Sequence, residues 1–215
     1  MRKLVLKMSV SVDGFVGGPN GEIDWIFGSL DEAANGWMLD TLWDAGVHIM
    51  GSRTFRDMKA YWPSSSEPFA APMNQIPKIA FSRTRVPDPD RASSTTRALA
   101  DATRVQLAEG SKSGSTVSSG AVSWTDAPMV SGDLAEEIAR LKQEPGKPIL
   151  AHGGASFAQS LVGLGLVDEY RLLVHPVALG TGLALFSNLA RPLDLTLLST
   201  TRFGTGAVAH VYRSA

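Results

Sequence analysis

Three short stretches of this chain join an apolar β-type run to a helix start or polar loop through glycines, hydroxyls and guanidinium groups. In Leu150-Ala151-His152-Gly153-Gly154-Ala155-Ser156-Phe157 two glycines separate a strand from a helix. Glycine lets a ligand approach the backbone, and the free N–H groups of a helix start attract phosphate oxygens. Met50-Gly51-Ser52-Arg53-Thr54-Phe55 repeats the plan with an arginine that can hold phosphate bidentately and a threonine that can donate to it. Phe81-Ser82-Arg83-Thr84 ends a third strand. Each stretch also has a plainer reading: a tight turn, a helix N-cap beside a solvated arginine, an exposed polar loop. Together, at strand carboxyl ends of one parallel sheet, their two arginines and two helix N-termini suit a ligand with several phosphates, and a monophosphate beyond the pyrophosphate would favour NADPH over NADH. None is the G-x-G-x-x-G fingerprint, so an ordinary Rossmann assignment fails.

The elements that must position these turns follow from the hydrophobic pattern. Leu4 to Val12 reads as a strand running into the loop of Asp13, Gly14, Gly17, Gly18, Pro19, Asn20 and Gly21. Leu30 to Ala45 has helical spacing of Ala33, Ala34, Trp37, Met38, Leu42 and Trp43. Val47 to Met50 is a short strand, followed by a helix from Phe55 to Ala60 capped by Thr54 or Ser52 and ended by Pro63. Pro77 to Ser82 is a strand, Ser131 or Asp133 opens an amphipathic helix, and Pro148 to His152 is a strand. A helix from Ser156 to Leu164, a strand from Asp168 to Val174 and a hairpin of Leu193 to Phe203 with Ala207 to Tyr212 close the chain. Alternating strands and helices predict an α/β fold: a mostly parallel central sheet with helices on both faces and an antiparallel C-terminal hairpin. The Ser/Thr/Ala/Gly-rich stretch at 88–126 reads as an insertion, with a helix from Arg97 to Glu109 inside it.

Composition narrows the function. The 215 residues, 44% hydrophobic and 19% charged, suit one domain over 1–215. Lysine and arginine total 20 against 21 acidic residues, so no net field draws the protein to nucleic acid. There is no cysteine, which removes disulfides and thiolate chemistry, and no metal site is expected. Without a signal-like leader or a membrane-length apolar run, a cytoplasmic protein is expected. The motifs H-E-x-x-H, G-x-S-x-G and Walker A are absent. His48, His152, His175 and His210 are scattered, and His48 and His210, in apolar strands, read as core histidines. Trp25, Trp37 and Trp62 could line a ring-binding pocket, or simply belong to the core.

The run from Leu4 to Val16 with Asp24-Trp25 resembles the reductase domain of riboflavin biosynthesis and its dihydrofolate reductase-like relatives. So do Gly51 to Phe55, Tyr61-Trp62-Pro63, Pro77 to Thr84, His152 to Ala155, Leu166 to Tyr170 and His175 to Gly182 with Leu185-Phe186. The resemblance implies a three-layer dihydrofolate reductase-like fold and NADPH. Gly51, Ser52, Arg53, Thr54, Gly153, Gly154, Ala155, Ser156 and the adjoining Phe157 would face the cofactor phosphates. Ser82, Arg83 and Thr84 would lie by the adenosine 2′-phosphate, and Ser11 to Gly14 beside the nicotinamide. One departure is that Ser52 stands where the family often has a basic residue, with Arg53 next. Asp13, Asp24 and Asp31 are candidate proton sources or substrate anchors, and Trp25 and Trp62 candidate substrate contacts; Asp31 equally suits a helix N-terminus and Asp13 a turn before Gly14. The deaminase half of the bifunctional enzyme, with its H-x-E and P-C-x-x-C signature, is missing. The expected activity is NADPH-dependent reduction of a small heterocycle or a carbonyl or imine compound, possible partners being that substrate and a second copy in a homodimer. The alternative is a nucleotide-binding module or dimeric accessory protein without turnover, suggested by the lack of an unambiguous catalytic acid.

Overall fold

Alternation of side chains along Leu4–Ser11 (β1) sends Leu4, Leu6, Met8 and Val10 to one face of a sheet and Val5 to the other, which is what a strand covered on both sides requires. The computed structural model describes residues 1–83 and 124–215. Its sheet adds Val47–Gly51 (β2), Lys78–Phe81 (β3), Met129–Val130 (β4), Ile149–Ala151 (β5), Glu169–His175 (β6), Leu195–Arg202 (β7) and Val208–Ser214 (β8). The spatial order is β4-β3-β2-β5-β1-β6-β8-β7. The first six run parallel, β8 is antiparallel to β6, and β7 is antiparallel to β8.

Glu32–Trp43 (α1), Ser52–Tyr61 (α2) and Ala70–Gln75 (α3) cover one face through Leu42, Phe55 and Met73. Leu134–Gln143 (α4) and Ala155–Gly163 (α5) cover the other through Ile138, Leu141, Ala158 and Leu161. The expected three-layer α/β fold with its closing hairpin is what the structure has.

Several local expectations change. The helix expected from Phe55 starts directly at the end of β2: Gly51 is its N-cap, no side chain caps it, and Ser52 and Thr54 lie inside it. On α1 the buried positions are Ala34, Met38, Thr41 and Leu42, whereas Ala33 and Trp43 face solvent. A 3₁₀ turn at Asp24–Ser29, the short α3 and the two-residue β4 carried too little periodicity to be read from sequence. Trp124, inside the stretch read as an insertion, is a core residue: it is buried, packs on Phe55 and donates from Nε1 to Asn74 Oδ1 at 2.8 Å. Thr84 and the helix expected at Arg97 to Glu109 lie outside the described residues. His48 is fully buried as expected, but His210 is half-exposed and pairs with Thr200 Oγ1 at 3.1 Å.

Burial decides where truncation hurts. Leu161→Ala, at a fully buried position of α5, should cost about 2–5 kcal/mol in urea denaturation. Leu198→Ala, half exposed on β7, should stay within about 0.5 kcal/mol of the parent.

Candidate functional site

Parallel pairing brings the three turns together. β3, β2 and β5 are neighbours in that order, with β1 next. Ser82-Arg83 follows β3, Gly51 with the start of α2 follows β2, and Gly153-Gly154 with the start of α5 follows β5. Ser11 to Gly14 ends β1, beside His175 at the end of β6. All therefore lie on one edge, at the carboxyl ends of the strands. Glycine is dictated by contact at two of them. Gly154 has φ +92°, and a Cβ there would sit 2.6 Å from Thr54 Oγ1; one on Gly51 would meet Phe157 Cβ at 3.1 Å. The two helix starts thus abut, and any larger residue at either glycine would wedge them apart.

Capping separates these two helices from α1 and α4. Asp31 caps α1 by accepting from the Ala34 N–H, and Asp133 caps α4 by accepting from the Glu136 N–H. α2 and α5 have no side-chain cap, so their first N–H groups point outward with the positive end of each helix dipole.

The residues expected to supply a proton are anchors. Asp13 accepts from Ser11 Oγ at 2.6 Å and from the backbone N–H groups of Leu179 and Gly180 at 3.1 and 2.7 Å. These donors, the Ser11 hydroxyl foremost, pull its carboxyl down to about 2. Asp31 is committed to its cap and to the Thr205 N–H of the hairpin turn, and the Ala34 N–H chiefly lowers it below the usual carboxylate value. Both stay ionised at neutral pH, a state that accepts protons rather than gives them.

The aromatic residues divide. Trp62 is buried in the core with Phe55, Met73 and Trp124, so it is a packing residue rather than part of a ring pocket. Trp37 leans on Phe203. Trp25 is half-buried and meets the His175 ring edge-on at 5.5 Å, while Asp24, the first residue of the same turn, is exposed.

The structure adds a cluster that sequence reasoning missed. Lys7 shares its face of β1 with Val5 and reaches α1, its Nζ lying 3.4 Å from Met38 Sδ. Burial pushes this amine down to about 8. Its charge bears on His152, which follows β5, and on His175, which ends β6. His152 packs edge-on against His48 at 4.5 Å. Burial holds all three rings below the ordinary histidine value, His48 and His175 at about 4 and His152 well below 6.5. His175 Nδ1 pairs with Ser29 Oγ at 2.7 Å, but Nε2 of His152 and Nε2 of His175 are buried without a hydrogen-bond partner. A lysine inside the run Leu4-Val5-Leu6-Lys7-Met8 was the available signal, since lysine is seldom placed within a doubly covered strand without a task.

A cavity of about 370 Å³ opens at the opposite edge, lined by Arg2, Val47, Pro77, Lys78 and Glu144 at or near the amino ends of the strands. Among the described residues no group of three or more histidine, aspartate or glutamate side chains could hold a metal ion, and no helix is long and apolar enough to cross a membrane.

Comparison with known proteins fits this architecture. The model of the RibD C-terminal domain matches residues 2–209. The chain belongs to that family. Protein YyaP of Bacillus subtilis is 28% identical over 98% of this chain and 94% of its own length. Among solved structures, the diaminohydroxyphosphoribosylaminopyrimidine deaminase/5-amino-6-(5-phosphoribosylamino)uracil reductase of Thermotoga maritima superposes with a TM-score of 0.60 at 13% identity, covering all of this chain and 57% of that longer one. Dihydrofolate reductase of Enterococcus faecalis, complexed with NADP(H), gives 0.54 at 12% identity over 99% of this chain and 96% of that one. At such identities the likeness is one of fold.

The buried rings make stability depend on pH. Each holds its proton less firmly in the folded chain than at the unfolded value near 6.5, so unfolding takes up protons. This contribution is complete above about pH 6.5 and erodes as pH falls toward 4. The urea midpoint should therefore drop between pH 7.5 and pH 5, and His48→Leu should make that drop shallower; an unchanged slope would deny His48 this role.

Proposed function

We propose that this chain is an NADPH-dependent reductase of a small pyrimidine-type or related heterocycle carrying a C=N or C=O bond. The observation that carries the reading is the order of the turns along one sheet edge, β3, β2, β5, β1, over three strand spacings or roughly 14 Å. That order matches a dinucleotide laid across the strands. Ser82 and Arg83 would take its 2′-phosphate. Gly51, Ser52, Arg53 and Thr54, with Gly153, Gly154, Ala155, Ser156 and Phe157, would line its pyrophosphate, and Ser11 and Gly14 its nicotinamide end. The uncapped starts of α2 and α5 fit such a ligand, because their free N–H groups want an anionic acceptor.

Bound there, the dinucleotide supplies the hydride, and the protein's share is orientation and a proton. Lys7 is the best-placed donor. An ammonium with its pKa near 8 is still protonated at neutral pH yet releases its proton readily to an atom made basic by reduction. Asp13 is a positioning residue: by holding Leu179 and Gly180 it ties the loop after β6 to the end of β1. Trp25 and His175 would border the substrate ring, and Asp24 stands at the rim. The buried amine of Lys7 weighs against a binding module without turnover, the reading that rested on a missing acid.

Self-association is part of the proposal. β7 ends the sheet, and its segment Leu195 to Thr201 carries no charge, with Leu197 and Leu198 about half exposed. An uncharged edge strand is self-complementary in an antiparallel pair of identical chains.

Four measurements test these statements. Lys7→Met should lower the NADPH oxidation rate by about 10²-fold or more while leaving cofactor binding intact. In the parent enzyme the rate should fall as pH rises through about 8, where Lys7 loses its proton; a flat profile removes Lys7 from the chemistry. Arg83→Glu should weaken NADPH by about 1–3 kcal/mol and NADH far less, and equal weakening would unseat the 2′-phosphate assignment. Light scattering should give a dimer mass for the parent and a monomer mass for Leu197→Lys.

A further inference from the structure

The charge of the walls differs sharply between the two halves of the site. No lysine or arginine stands between Lys7 and Arg53 in the sequence. That stretch includes the loop after β1, the 3₁₀ turn and α1, the elements that reach His175 and Lys7 through Trp25, Ser29 and Met38. It carries instead Asp13, Glu22, Asp24, Asp31 and Glu32 toward the strand carboxyl ends. The start of α1 is already closed to anions, because Asp31 caps it. The next cations along the chain, Arg53 and Arg56, stand on α2, on the side assigned to the dinucleotide phosphates.

The floor offers nothing better for an anion. His152 and His175 are held neutral by burial. Lys7 is withdrawn beside Met38, and its proton is needed for reduction. A phosphate group requires guanidinium, ammonium or open helix N–H donors. Among the described residues of this wall no cation is present and α1 begins capped, whereas the cofactor side has arginines and two uncapped α-helix starts.

We infer that the substrate of this reductase carries no phosphate: it is a neutral ring compound held over the floor to which Lys7 and His152 belong. This rests on the reading of the site as a reductase. It separates this chain from the Thermotoga maritima protein, whose substrate is a phosphoribosylamino compound. Specificity of this kind arises from repulsion as much as attraction, since a phosphate would meet carboxylates with only the withdrawn amine of Lys7 as countercharge.

The experiment compares 5-amino-6-(5-phosphoribosylamino)uracil with its dephosphorylated ribosylamino form, using the full chain and NADPH. The phosphate-free compound should have a kcat/KM at least tenfold higher. Raising the salt concentration should narrow the gap by screening the wall. Glu32→Lys should raise kcat/KM for the phosphorylated compound several-fold and leave the other unchanged. A preference of the parent for the phosphorylated compound overturns the inference, as does failure to reduce either compound while NADPH binds. NADPH binding is followed separately by intrinsic tryptophan fluorescence; its absence overturns the cofactor reading itself, and this inference with it.

Discussion

The parallel hydrogen bonding of β3, β2, β5, β1 and β6 is the constraint from which the site follows. Register sets Gly51 level with Phe81, Ile49 level with Ala151, and Ser11 level with His175. Turns far apart in the chain thereby end on one line. A slip of one residue in any of these strands would also reverse its faces, sending Lys7 or His152 into the apolar layer under α4 and α5. The apolar alternation of β1 holds the register as firmly as the hydrogen bonds do, because Leu4, Leu6, Met8 and Val10 have only one face on which they can be buried.

The helices then divide the work by how they begin. α1 and α4 start with an aspartate that satisfies their first N–H groups internally. α2 and α5 start with glycine, and the close approach of Gly154 to Thr54 and of Gly51 to Phe157 packs their ends together. Two open helix starts side by side form a patch of positive potential without any buried cation. Arg53 and Arg83, both exposed, add charge at its border.

Beneath the edge, the sheet tolerates a lysine and three histidines in an apolar setting. They are compatible with folding because burial favours their uncharged forms: the rings are neutral at physiological pH, and Lys7 is within reach of neutrality. The same burial that would make such groups poor stabilisers lowers the Lys7 amine to about 8. In the proposed reductase the proton would come from this amine on a central strand, while the carboxylates of Asp13 and Asp31 hold loops in place.

Much of this was legible in the residues themselves. Period-two and helical spacing placed β1, β2, β5, α1 and α4 to within a few residues, and glycines, hydroxyls or guanidinium groups at strand ends marked the three turns, because backbone conformation and phosphate affinity are properties of single residues. Sequence could not show that Lys7, His48, His152 and His175 share one face, since their meeting depends on strand order, which only packing selects. It could not choose between proton source and anchor for Asp13 and Asp31, or between pocket and core for Trp62. Those roles are decided by what lies across the fold: the N–H groups of Leu179, Gly180 and Thr205, and the rings of Phe55 and Trp124. A residue's type sets what it can do, and the neighbours that tertiary structure brings to it set which of those things it does.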